Sequence, residues 1–128
     1  MPSTTPPAAS QQVVILVAHG SRNAETAVTH RQMCESLTSL TGISTTPAFL
    51  EINEPSIPEA IDNVAESHPG ADIRILPLFL HEGTHVSTHI PELVSDAAKA
   101  HPDNALLLER HLGAHVDLLE MLAKVISQ

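Results

Sequence analysis

Apolar residues along this chain follow two patterns in alternation. Val13 to Ala18 is a continuous, β-branched apolar run, as in a strand buried on both faces. His19-Gly20-Ser21-Arg22 breaks it. From Ala24 to Leu40 the apolar positions recur at helical spacing. Val28, Met33, Cys34, Leu37 and Leu40 form the expected inward set, and His30 is expected to face solvent. Gly42 is a suitable helix stop. Ser44 to Glu51 reads as a second strand, less apolar and so nearer an edge. Asn53-Glu54-Pro55 opens a second helix, with proline suited to its first turn; it runs to about Ser67 and ends at His68-Pro69-Gly70. Asp72 to Leu80 is the third strand, with Pro77 as a difficulty because proline removes a ladder donor. A third helix is expected from Ile90 to Ala100, with Pro91 near its start. Asn104 to Glu109 forms the fourth strand and Ala114 to Ile126 the last helix.

The order is βαβαβαβα. His19, Glu51, His81 and Glu109, the expected strand ends, lie about thirty residues apart, the length of one βα unit. Such alternation predicts an α/β fold: a four-stranded parallel sheet with right-handed crossovers and helices on both faces. Residues 1–12, rich in Pro, Ser and Thr, read as a disordered tail, and residues 13–128 as one domain.

Composition narrows the function. The formal net charge is −9 with six basic residues, so no basic patch for nucleic acid can be assembled, and metal cations are favoured instead. With two Phe, no Trp and no Tyr, stacking on bases is also disfavoured. No stretch approaches a membrane span, and no signal peptide is evident, so a cytoplasmic address is expected. Cys34 is the one cysteine, read as a buried thiol.

Nine histidines are many for this length. In open parallel sheets, ligands bind outside the carboxyl ends of the strands, where strand order reverses. Strand one ends in His19, strand two in Glu51, strand three in His81 with His85 beyond, and strand four in Glu109 with His111. Imidazole and carboxylate together suit Fe²⁺, Co²⁺, Ni²⁺ and Zn²⁺. Glu51 is a candidate third ligand or proton acceptor. One histidine at a strand end is ordinarily a hydrogen-bonded loop residue; His19, His85 and Glu51 at three ends weigh evenly against that. His81, His85 and His89 recur every four residues, but Gly83 argues against one continuous helix through them. His68 and His101 fall at helix C-termini at the other end of the sheet and read as structural. His111 and His115 read as loop residues.

Val-Val-Ile-Leu-Val-Ala followed by His19-Gly20-Ser21-Arg22 resembles the opening motif of the small-type sirohydrochlorin chelatases, in the class II chelatase group. Phe49-Leu50-Glu51 with Glu54-Pro55-Ser56-Ile57 resembles the second motif. Leu76-Pro77-Leu78-Phe79-Leu80 leading to Gly83-Thr84-His85-Val86 and Ile90-Pro91 resembles the third. The resemblance implies insertion of Co²⁺ or Fe²⁺, with Ni²⁺ possible, into sirohydrochlorin, without an organic cofactor. It maps the two family histidines onto His19 and His85 and the strand-two glutamate onto Glu51. It sets Ser21, Arg22, Gly83 and Thr84 against the tetrapyrrole, with Arg22 suited to a substrate carboxylate. It also implies one half of a two-lobed architecture, completed as a homodimer. His89 stands where the family commonly has aspartate, and His81 where small or neutral residues are usual. Both add imidazoles to the expected metal set of His19, His85, His81 and His89, and they keep open a rival reading as a metal carrier or storage protein.

Overall fold

The computed structural model describes residues 11–128, and the side chains of residues 84–86 lie outside that description. The tail expected over residues 1–12 therefore falls almost wholly outside the described residues; Gln12 already belongs to the first strand. The elements are β1 (Gln12–Ala18), α1 (Ala24–Thr41), β2 (Ser44–Phe49), α2 (Ile57–Ser67), β3 (Asp72–Pro77), α3 (Thr84–Ala100) and β4 (Ala105–Leu108). A 3₁₀ turn (Leu112–Ala114) and α4 (Val116–Ile126) follow.

All strand pairs are parallel, in the order β2-β1-β3-β4. The chain steps from β1 to β2 in one direction, then returns past β1 to β3 and β4. Right-handed crossovers with that reversal put α1 on one face and α2 and α3 on the other. The face under α2 and α3 is the main core. Val13, Ile15, Val17, Ile73 and Ile75, every second strand residue, pack against Ile57, Ile61, Val64, Ile90 and Val94. Each such side chain removed from water contributes on the order of 1.5–3 kcal/mol.

The α1 face differs from expectation. The buried residues of α1 are Ala27, His30 and Cys34, a stripe at three- and four-residue steps. Of the expected inward set only Cys34 is fully buried; Val28, Met33 and Leu40 are exposed. Among the described residues the helix packs mainly on β2, so geometry selects the stripe over residue size. His30 is buried rather than solvent-facing. Its Nε2–H donates to the Leu16 carbonyl at 2.9 Å and its ring meets Phe49 edge-on at 5.2 Å. A backbone acceptor makes burial of that polar ring tolerable.

β2 stops at Phe49 rather than Glu51, β4 is one residue shorter at each end, α4 starts at Val116 rather than Ala114, and three boundaries move further. β3 stops at Pro77, not Leu80. Leu78 N–H donates to the Val17 carbonyl on the β1 side, so the missing Pro77 N–H faces β4, whose pairing already ended at Ile75. Proline thus costs no ladder bond. α2 starts at Ile57 behind a capping box in which Ser56 and Glu59 satisfy each other's backbone N–H, rather than at Asn53 to Pro55. α3 starts at Thr84 and carries Pro91 inside it. Consequently His85 and His89 share one helix while His81 stays outside it, so no continuous helix runs through all three, as the glycine at position 83 argues: Gly83 is the N-cap.

The last helix is unlike the others. α4 contains Val116, Leu119, Met121, Leu122, Val125 and Ile126, all exposed, and packs mainly on the 3₁₀ turn.

Candidate functional site

The reversal of strand order leaves a crevice at the carboxyl ends of β1 and β3, and His19 is the first residue beyond β1. Beyond β2 the chain still runs alongside β1: Leu50 N–H donates to the Ala18 carbonyl at 2.9 Å and Glu51 N–H to the His19 carbonyl at 3.0 Å. This brings Glu51 Oε1 to 3.0 Å from His19 Nε2. Both side chains remain more than half exposed, at 55% and 56%. The His19 ring also meets Phe79, beyond β3, edge-on at 6.2 Å. The sheet therefore presents His19 between a carboxylate on one side and an aromatic ring on the other.

Gly20 is required by this arrangement. Its φ is +109°, and a Cβ there would lie 1.9 Å from the Glu51 carbonyl oxygen. Asn53 completes the lock, accepting from Ser21 N–H at 2.8 Å through Oδ1 while its own N–H donates to the Glu51 carbonyl at 2.8 Å. Asn53 had been read only as part of a helix opening; an asparagine between two turns, able to accept from backbone two loops away, was the available signal. Ile52, between Glu51 and Asn53, has φ +71°. Ser21, expected to face a ligand, accepts from Asn23 N–H at 3.0 Å, and Asn23 in turn caps α1. Arg22 is exposed beside it.

The β3 side is arranged differently. His81, expected at a strand end, sits in the connection to α3, four residues past Pro77; it is exposed, as are Glu82 and Gly83. Thr84 and His85 are the first two residues of α3, and their side chains lie outside the described residues. His89 follows one turn later and is exposed. Among the described residues no three His, Cys, Asp or Glu side chains converge as a metal site. His19 and Glu51 are brought together; His81 and His89 are not joined to them.

Glu109, at the end of β4, is bound at both carboxylate oxygens by Arg74 Nη2, at 3.2 and 3.1 Å. His111 Nδ1 lies 3.9 Å from Glu82, and Gly113 N–H donates to the Phe79 carbonyl at 2.9 Å. A Cβ on Gly113 would sit 1.7 Å from the Leu80 carbonyl oxygen. A cavity of about 280 Å³ opens here, lined by Glu82, Pro91, Glu109, Arg110 and His111. His115 Nε2 contacts the Arg110 carbonyl at 3.3 Å. At the opposite end of the sheet His101 pairs with Asp62 at 2.6 Å, in keeping with a structural role.

The pair at the switch point has chemistry of its own. A carboxylate only accepts, so His19 Nε2 carries the proton in this contact and Nδ1 keeps its lone pair. Glu51 then orients the ring, the usual service of a carboxylate behind a metal-binding imidazole.

Comparison with known proteins reaches the same place. The CbiX family matches residues 13–128. The chain is 33% identical over 109 residues to the chloroplastic sirohydrochlorin ferrochelatase of Arabidopsis thaliana, covering 84% of this chain and 48% of that protein. It is 34% identical over 83 residues to the sirohydrochlorin cobaltochelatase of Methanopyrus kandleri, covering 63% and 57%. The chain thus spans about half the length of these relatives. Its backbone matches a CbiX protein from Marinobacter aquaeolei VT8 with a TM-score of 0.76 at 22% identity, over 91% of this chain and 94% of that one. It matches the chelatase SirB of Bacillus subtilis subspecies spizizenii, solved in complex with cobalt, with a TM-score of 0.76 at 21% identity, over 91% and 50%. At those identities the two structures establish the shared fold.

Proposed function

The chain belongs to the CbiX family, and we propose that it inserts a divalent metal, Co²⁺ or Fe²⁺ with Ni²⁺ also admissible, into sirohydrochlorin. The observation that carries this reading is His19 at the switch point, oriented by Glu51 at 3.0 Å and open to solvent. Metal and macrocycle are both substrates, and the products are the metallo-tetrapyrrole and two protons. His19 Nδ1 receives the incoming ion. His85, in the first turn of α3, is its partner ligand, and His81 and His89 extend the supply of imidazoles on that side. As the ion transfers to the pyrrole nitrogens, the two N–H protons must leave. The His19–Glu51 pair accepts them one after the other and passes each to water, since both groups are solvated. Arg22, exposed next to this pair, receives a peripheral carboxylate, while Ser21, Gly83 and Thr84 line the rim.

The relatives that match are named for chelation, which favours insertion over the carrier reading. Among the described residues α4 leaves its apolar side chains uncovered and packs mainly on the 3₁₀ turn, a face that a second copy in a homodimer covers. Among the described residues no helix is long and apolar enough to cross a membrane, and a cytoplasmic site of action goes with this reading.

The test follows the absorbance spectrum of sirohydrochlorin with Co²⁺, with and without protein. Acceleration over the protein-free rate is expected, and its loss in His85→Ala as well as in His19→Ala. Tight Co²⁺ binding without acceleration would instead return the carrier reading.

A further inference from the structure

Two exposed aliphatic side chains flank His19, and the fold gains nothing from either. Ile52 and Leu80 are each 58% exposed. Ile52 lies next to Glu51, which touches the His19 ring on the β2 side; Leu80 lies next to Phe79, which touches it on the β3 side. With β1 between β2 and β3, the strands that lead to them lie two inter-strand steps apart, roughly 10 Å. That is about the width of a tetrapyrrole ring.

Single exposed aliphatic residues are common and need no explanation. Ile52 is different because its backbone is unfavourable. A β-branched residue at φ +71° is an outlier, costing on the order of 1–2 kcal/mol, and glycine or asparagine would avoid it. The loop is held in that shape from both sides, by the close approach of Gly20 to Glu51 and by Asn53 on the Ser21 N–H. Leu80 is likewise backed by fixed main chain, with Gly113 against its carbonyl. Both side chains stand on hydrogen-bonded or close-packed main chain, and neither belongs to the buried core cluster.

The ligand's own chemistry asks for such a contact. Sirohydrochlorin is a polycarboxylate and this protein carries a net charge of −9. Arg31 is engaged by the Glu54 carbonyl and Arg74 by Glu109. Few cations remain for the substrate's periphery, so the apolar face of the macrocycle is where affinity can be gained.

We propose that Ile52 and Leu80 form a two-point apolar seat for the macrocycle face, straddling His19. This rests on the insertion reading above. The experiment titrates metal-free sirohydrochlorin into wild type, Ile52→Gly and Leu80→Ser, with thermal melts, mass in solution and insertion kinetics on the same samples. In Ile52→Gly, affinity is expected to weaken roughly tenfold, the worth of one aliphatic contact, with the loss on KM rather than kcat. Its melting temperature should hold or rise, because the glycine relieves the backbone. Leu80→Ser should weaken binding similarly. Unchanged affinity in both variants overturns the seat while leaving insertion standing. A lower melting temperature in Ile52→Gly, or a shift in mass, assigns Ile52 to the fold or to a subunit interface and also overturns it. If wild type neither binds nor metallates sirohydrochlorin, the insertion reading itself falls, and the seat with it.

Discussion

Two halves of one rim are built on the same device and put to different use. On the β1–β2 side Gly20 presses against the Glu51 carbonyl; on the β3–β4 side Gly113 presses against the Leu80 carbonyl. In each, a missing Cβ lets two loops share space. The first half leaves its polar pair open, with His19 and Glu51 both more than half exposed. The second commits its charges to each other, with Arg74 chelating a Glu109 that is 18% exposed. Loops of similar construction can therefore serve as reactive surface or as brace. Solvent access to the paired groups tells the two apart.

The largest effect should come from the open half. His19→Ala should reduce metal insertion at least a hundredfold, in the range expected for loss of a positioned acid–base group, while the melting curve stays near wild type because the side chain is exposed. Arg74→Ala should leave turnover near wild type; an equal loss of turnover in both would erase the distinction between the halves.

The two glycines come next. Gly113→Ala should cost about 1–3 kcal/mol by overpacking, read from urea unfolding. Gly20→Ala should cost roughly a further 1–2 kcal/mol, since alanine must also adopt φ +109°. Equal losses would mean the β1 loop relaxes more readily than its geometry implies.

Removing Arg74 strands a carboxylate that is mostly shielded. Arg74→Ala should destabilise by about 1–2 kcal/mol, between the worth of a surface pair and that of a buried one. Adding Glu109→Ala should recover much of the loss. If the double variant is no better than the single, the bridge is not what braces that half.

The smallest effect lies outside the rim. Burial, with the nearby Glu35 charge in second place, pushes the Cys34 thiol up from 9.0 to about 11. Between those values the unfolded thiol ionises first while the folded one stays protonated, so stability should fall as pH rises through that window and show no such contribution below it. Comparing unfolding of wild type and Cys34→Ala at pH 8 and 10 measures it. A thiol reagent that labels the native protein rapidly at pH 8 would contradict the burial.

Much of the scaffold was legible beforehand because it depends on periodicity. The Val13 to Ala18 run, the alternation of strands and helices, and the placing of His19 and Glu51 at one rim all follow from patterns a few residues long. What was misread depends on partners far away in the chain. His30 looks like a surface residue until the Leu16 carbonyl is placed beside it. Val28, Met33 and Leu40 look like core until α1 is known to pack on the edge strand β2. Pro91 looks like a helix start because the true cap, Gly83, carries no side chain to announce itself. Asn53 acts through Ser21, more than thirty positions away, and no local window contains that relation.

The floor of the crevice is main chain. Leu50, Glu51 and Leu78 hold it together by donating to the carbonyls of Ala18, His19 and Val17, bonds that any non-proline residue can make. Exchanges among the exposed side chains of the lip, the two close-packed glycines apart, therefore leave the platform beneath undisturbed. A lineage can drift from one transition element to another by single steps, with every ancestor on the way still folded.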